Sequence, residues 1–247
     1  MAHARWASGS STISRMRDHM SSLRKILSFV VLSMTVAPTW AQTYEQMVDS
    51  LEAATKMVEK FPEDVDLKLK KASWNLLLEQ WDYAKSEYDK VLAIDPRNVA
   101  ALYYRAYANE KLHRYKFARK DYEEMLSIVP GDFNGQLGLA LLLQKDLHFT
   151  EAMNRINRLV EQHPKSAVAF AARAGMEAER GMLDLAEYDF SEAMRLAPDN
   201  TDYIINRADV RIRMKHFDDA RADLALAVKK GIPRPALSDL YARCQKK

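Results

Sequence analysis

Cysteine is almost missing from this chain: Cys244 is the single one among 247 residues. Without a second thiol there is no internal disulfide and no cysteine-pair metal site. Cys244 is then a small apolar packing residue or, as the alternative, a thiol for intermolecular pairing. Glycine and proline are sparse as well, at seven and eight, which excludes a linker-rich or low-complexity chain. A composition 48% hydrophobic and 29% charged suits one ordered, soluble unit. No long apolar run is present: the stretch 26–37 ends at Pro38, well short of the ~20 residues a spanning helix needs. Excess positive charge is confined to one end. Residues 1–41 hold Arg5, Arg15, Arg17, Arg24 and Lys25 against Asp18, leaving 32 basic and 33 acidic residues in 42–247. The formal charge of +3 therefore says nothing about the main body, and the polyelectrolyte argument for DNA or RNA binding lapses.

What the N-terminus does have is the pattern of a cleavable export signal. Arg24-Lys25 precede the apolar segment Ile26-Leu27-Ser28-Phe29-Val30-Val31-Leu32-Ser33-Met34-Thr35-Val36-Ala37, and Thr39-Trp40-Ala41 follows Pro38. A basic n-region, a short h-region and a small residue at the cut site predict cleavage after Ala41, with the mature chain starting at Gln42. The competing reading is a buried or anchoring helix, which the length and Pro38 disfavour. Met16 or Met20 would give a more ordinary n-region than Met1. No cysteine follows the h-region, so a lipoprotein anchor is excluded on chemistry, and no membrane insertion is expected after cleavage.

The main body is periodic. Prolines stand at Pro62, Pro96, Pro130, Pro164 and Pro198, each 34 residues after the last. Two alanine series keep the same spacing: Ala72, Ala106, Ala140, Ala174 and Ala208, and Ala84, Ala118, Ala152, Ala186 and Ala220. Three independent series in one register mean one supersecondary unit repeated five times, stacked so that neighbours bury what no single unit can. Each unit reads as two antiparallel helices, 65–78 and 81–94 in the first copy. Alanine belongs where the two cross, since a larger side chain would hold the backbones apart. Proline after each second helix lacks the N–H to continue it.

The segments Ala84-x3-Tyr88…Pro96, Ala118-x3-Tyr122…Pro130 and Ala186-x3-Phe190…Pro198 carry a close resemblance to the tetratricopeptide repeat (TPR) family; Ala152-x3-Ile156…Pro164 and Ala220-x3-Leu224 are weaker copies. The fifth unit ends Gly231-Ile232-Pro233, its proline one place late. Alanine replaces the family's first-helix glycine throughout, and its aromatic start survives only as Phe170, with Leu102 and Ile204 as aliphatic stand-ins. The resemblance implies an all-α, right-handed α-solenoid of five helix-turn-helix repeats. The units run 65–98, 99–132, 133–166, 167–200 and 201–234. Before them, 42–64 reads as an N-terminal half-repeat, with Met47, Leu51, Ala54, Met57 and Val58 in the phase of a second helix. After them, 235–247 reads as a C-terminal capping helix with an apolar stripe at Leu237, Leu240, Tyr241 and Cys244.

Catalytic chemistry finds no constellation, so no enzyme activity, metal or cofactor is expected. His113, His148 and His216 fall in turns between paired helices, His163 lies beside Pro164, and none has ligand spacing. Gly135-x-x-Gly138 lacks the lysine and strand of a phosphate loop and reads instead as close backbone approach. Arg105, Arg173 and Arg207, with Lys71 equivalent, recur 16 residues before Asp121, Asp189, Asp223 and Glu87. The third unit changes both members at once, to Leu139 and Arg155. These read as intra-repeat ion pairs, with anion ligands as the alternative.

The resemblance also implies a concave face that binds partner segments through the first helix of each repeat. Its lining here would be Leu69 and Ser73, Tyr103 and Tyr107, Leu137 and Leu141, Ala171 and Gly175, and Ile205 and Asp209. Glu110, Lys111, Gln144, Lys145, Glu179 and Arg213 would be their polar neighbours. The lysine-plus-asparagine clamp that some relatives use on carboxylates is missing at Leu69/Ser73 and Tyr103/Tyr107, so hydrophobic anchoring of a helix or extended peptide is expected. The alternative is that these side chains simply pack on one another. The expected function is an exported protein-protein interaction scaffold of the bacterial cell envelope, periplasmic or secreted, with a protein or peptide partner and no nucleic acid. A self-associating structural component of an envelope assembly is the alternative.

Overall fold

A computed structural model describes residues 44–245, and the proposed leader and its cleavage site lie outside them. Among the described residues there are twelve α-helices, one 3-10 helix and no strand. The first, α1, runs Tyr44–Lys60. Five hairpins follow: α2 (Val65–Leu77) with α3 (Trp81–Ile94), α4 (Val99–Lys111) with α5 (Tyr115–Ile128), and α6 (Phe133–Lys145) with α7 (Phe149–Gln162). Then come α8 (Ala167–Glu179) with α9 (Leu183–Leu196), and α10 (Thr201–Arg213) with α11 (Phe217–Lys229). Consecutive helices pack in chain order, which is a solenoid.

Local chemistry sets the helix limits. Asp64, Asn98, Asp132, Ser166 and Asn200 precede the five first helices at the 34-residue spacing, and each side chain accepts a hydrogen bond from a backbone N–H two or three residues on. Each first helix ends in a Schellman turn, where the N–H of Gln80, Arg114, His148, Met182 or His216 reaches back five residues to a carbonyl. The residue before it lies in the left-handed region: Glu79, His113, Leu147, Gly181 and Lys215 have φ between 57° and 79°. Only one of the five is glycine, so four repeats bear a left-handed side-chain cost.

The alanines of both series are fully buried, so the helix pairs touch where the sequence pattern places them. Tyr88, Tyr122, Ile156, Phe190 and Leu224, four residues after the second series, fill the adjoining space and are buried as well. Gly138 serves close approach as expected: a Cβ there would stand 2.8 Å from the Tyr122 ring. The C-terminal cap differs from the expected continuous helix. It is a 3-10 turn, Arg234–Leu237, followed by a short α12, Ser238–Arg243. Pro235 at the start of the turn and Pro233 just before it remove the donors that a full first turn would use. Leu237 and Cys244 are nevertheless buried against α10 and α11, which makes Cys244 a packing residue.

Leu147 combines φ 63° with an exposed side chain. Leu147→Gly should therefore raise stability by roughly 1 kcal/mol, the left-handed penalty less the extra chain entropy of glycine. Thermal or urea unfolding measures it, and a lower midpoint would contradict the strain.

Candidate protein-docking face

The first helices place two residues per repeat on one face, four apart and hence one turn apart. Leu69, Tyr107, Leu137, Leu141, Ala171, Gly175, Ile205 and Asp209 are half-buried there. Ser73 is buried, and its hydroxyl donates to the Leu69 carbonyl at 2.8 Å. Tyr103 belongs with the packing alternative: it is 5% exposed, with its ring edge-on to Tyr104 at 5.0 Å and to Tyr122 at 5.8 Å. Tyr107 sits differently. Its ring meets Trp81 edge-on at 6.0 Å, and the Lys111 ammonium lies 5.2 Å from its centroid. The result is an aromatic-cation cluster joining the first two repeats at the surface.

The polar neighbours turn out to be tied to one another. Glu110 pairs with Lys145, Gln144 Nε2 donates to Glu179 Oε2 at 2.9 Å, and Arg213 Nη2 donates to the Ala178 carbonyl at 2.6 Å. Each link runs from one first helix to the next, 35 residues on. Arg243 of α12 extends the row to Asp209 at 2.7 Å. A search for one residue type at a fixed period misses this ladder, because it joins neighbouring positions in different units. The legible signal was Glu110 and Lys145, opposite charges 35 apart.

The arginine series forms a second ladder on a different side of the first helices. Arg105 holds both oxygens of Asp121, at 3.0 and 2.6 Å, and reaches Asp89 of the preceding repeat at 2.9 Å. Arg173 holds Asp189 at 2.6 and 2.9 Å and donates to Asn157. Arg207 holds Asp223 at 3.0 and 2.6 Å and donates to the Ser191 hydroxyl. Each guanidinium thus spends one fork on its own second helix and one N–H on the previous one. Lys71, at the same repeat position, pairs with Glu87 at 3.0 Å. In the third repeat Leu139 is fully buried and Arg155 turns to Glu151, 3.1 Å away. The backward contacts to Asp89, Asn157 and Ser191 were not visible in the sequence. With their forks occupied, these arginines are structural, and the anion-ligand reading has no support from them.

The four histidines among the described residues stay apart: His113 touches Tyr115, His148 lies 3.3 Å from Asp146, His163 packs on Phe133, and His216 precedes α11. Among the described residues no three His, Cys, Asp or Glu are grouped to hold a metal, and no helix is long and apolar enough to cross a membrane.

No family model matches the chain, and no curated protein matches it in sequence. Solved structures do resemble it. A tetratricopeptide repeat protein from Parabacteroides merdae aligns with TM-score 0.69 at 18% identity, over 82% of this chain and 79% of that one. PilW, described as a widely conserved type IV pilus biogenesis factor, aligns with TM-score 0.65 at 17% identity, over 74% and 84%. YrrB, described as a TPR protein with an unusual peptide-binding site, aligns with TM-score 0.54 at 22% identity, over 80% and 100%. The fold is the TPR solenoid.

One TPR unit is electrostatically unlike the others. In the fourth, Glu177 faces Asp189, where the second has Asn109 donating to Asp121 and the fifth has Arg211 donating to Asp223. Glu177 and Asp189 are both buried beside one guanidinium, Arg173, which is 4.0 Å from Glu177 but bound bidentately to Asp189. Burial first, and then the Asp189 charge, push the Glu177 carboxyl up to about 7, with Arg173 opposing. A folded-state value above the unfolded one means that the native state binds the extra proton. Stability is therefore fully present below the unfolded value of 4.5 and falls as pH rises towards about 7. The loss is on the order of 3 kcal/mol at about 1.4 kcal/mol per pH unit. Glu177→Gln should flatten this slope and raise the melting temperature at pH 8 while changing little at pH 4.5. An unchanged pH profile of the melt would show that Glu177 titrates normally.

Proposed function

We propose that this chain is an exported, non-catalytic adaptor of the bacterial cell envelope that docks a protein segment on the first-helix face of its TPR array. The observation that carries this is the division of labour on that face. Charged and polar residues there are tied across repeats, Glu110 to Lys145, Glu179 to Gln144 and Arg213 to the Ala178 carbonyl, while Tyr107, Leu137, Leu141 and Ile205 stay half-exposed between them. A surface whose charges are internally satisfied offers apolar and aromatic contact, which suits an amphipathic helix or an extended peptide with hydrophobic anchors. The peptide-binding description of YrrB agrees with such a use of the fold. The leader around Ile26–Ala37 and the similarity to a pilus biogenesis factor support an exported setting, periplasmic or secreted.

The docking test begins with a partner recovered from envelope extract and then titrated. Tyr107→Ala/Leu141→Ala should weaken its binding by about 2 kcal/mol or more while leaving most of the thermal stability. Tyr103→Ala should instead cost ~3 kcal/mol of stability, because it opens the core. Full binding by the Tyr107/Leu141 double variant would move the site off this face. Export has its own check. N-terminal sequencing of the protein from an envelope fraction should begin at Gln42, and an intact cytosolic product would refute the assignment.

A further inference from the structure

Among the described residues, the array begins and ends on half of a repeat, and the two halves are complementary. Helix α1 keeps the register of the second helices, so Ala53 and Met57 stand 34 residues before Glu87 and Val91. In all five complete repeats the residue equivalent to Met57 (Val91, Met125, Leu159, Ala193, Ala227) is buried, whereas Met57 is 43% exposed and Ala53 is exposed beside it. That open face is the one each second helix turns to its own first helix. At the other end, Ala242 lies 34 residues after Ala208 and continues the first alanine series, yet it is exposed where every other member is buried. An open pocket of about 410 Å³ surrounds it, lined by Arg234, Pro235, Ser238, Tyr241, Ala242 and Gln245. The equivalents of Ser238, Tyr241, Ala242 and Gln245 in the fifth repeat are Ile204, Arg207, Ala208 and Arg211. Arg207 and Arg211 bind Asp223 of α11, and Ile204 and Ala208 are buried in the same cluster as Ala220 and Leu224. The pocket thus has the lining of a slot for a second helix, and no described residue fills it.

We propose that the slot receives α1 of a second copy, so that α12 of one chain and α1 of the next complete a composite repeat, head to tail. Two observations point to this occupant. First, the position that carries arginine in three repeats is Tyr241 in the cap, and the position of its acidic partner is Ala53 in α1. Both members of the ion pair are lost together, as in the third repeat, and a small residue faces a large one. Second, residues 44–66 carry seven acidic and two basic side chains, and residues 229–247 carry six basic and one acidic, so the ends attract. Such a contact is heterologous and propagates as a filament or closes as a ring. It uses faces apart from the docking face, so partner capture and self-association are read in separate variants.

Sedimentation velocity of the purified full chain from ~1 to ~200 µM tests this. The mass should rise from 28.3 kDa with concentration, and the rise should shrink as salt screens the end charges. Met57→Glu blocks one end and Ala242→Glu the other, so each should remain monomeric alone. Mixed in equal amounts, they should form a species of twice the monomer mass and no larger, since one intact head meets one intact tail. Circular dichroism and a melt confirm folding, and Ala53→Glu with Ser238→Glu replace either variant that unfolds. A wild-type chain monomeric throughout, variants that associate like it, or a mixture that stays monomeric would each overturn the head-to-tail joint.

Discussion

The close crossing of paired helices is the constraint on which the rest depends. Ala72 against Ala84, and its four equivalents down to Ala208 against Ala220, are buried without exception. Small side chains at both crossing points let the backbones approach closely. That separation brings a first-helix arginine within bidentate reach of an acid 16 residues later, and within reach of the previous second helix on its other side. The ion pairs follow from the approach and do not cause it. The third repeat makes the point, for it keeps its alanines, replaces the pair with buried Leu139 and an outward-turned Arg155, and still forms the same hairpin. An apolar residue in the place of a desolvated ion pair is commonly close to neutral, so long as no charge is left unpaired.

Two polar ladders then connect repeats that the alanines only organise internally. The arginine series reaches backward to Asp89, Asn157 and Ser191, and the row of Glu110, Gln144 and Ala178 reaches forward to Lys145, Glu179 and Arg213. Every link joins nearest neighbours, as the energetics of a one-dimensional array require. These links also decide what the docking face can recognise. Lys145 and Arg213 cannot act as carboxylate clamps without giving up an existing partner, so discrimination falls to shape and apolar contact around Tyr107 and Leu141. The exchange would also cost stability, since Glu110 is buried and would lose its partner.

Much of this was legible in the sequence, and for a specific reason. The alanine and proline series report helix crossings and helix ends, which are properties of one repeat, so counting along one chain finds them. The five N-caps from Asp64 to Asn200 keep the same period and could have been read with equal ease. Contacts between repeats were harder. Glu110 with Lys145 joins unlike positions at an offset of 35, and Arg105 with Asp89 runs backward, so neither appears as a periodic series. Tyr103 and Tyr107 share a helix face and look equivalent in the sequence. What separates them is Tyr104 and Tyr122, whose rings close over Tyr103 while Tyr107 leans on Trp81 at the surface.

The ends obey the same rules as the interior, with one difference in chemistry. An arginine at the place of Tyr241, or an acid at the place of Ala53, would sit beside an apolar slot with no partner in a lone chain. Burying such a charge on association would cost several kcal/mol before any pairing gain. Uncharged residues at both places keep the end faces compatible with water and with contact alike. The long-range attraction comes from the acids of 44–66 and the bases of 229–247. Interior joints, made once during folding and held by the covalent chain, carry desolvated ion pairs; end joints, which must form and dissociate between separate molecules, are better served by a neutral contact inside a charged rim.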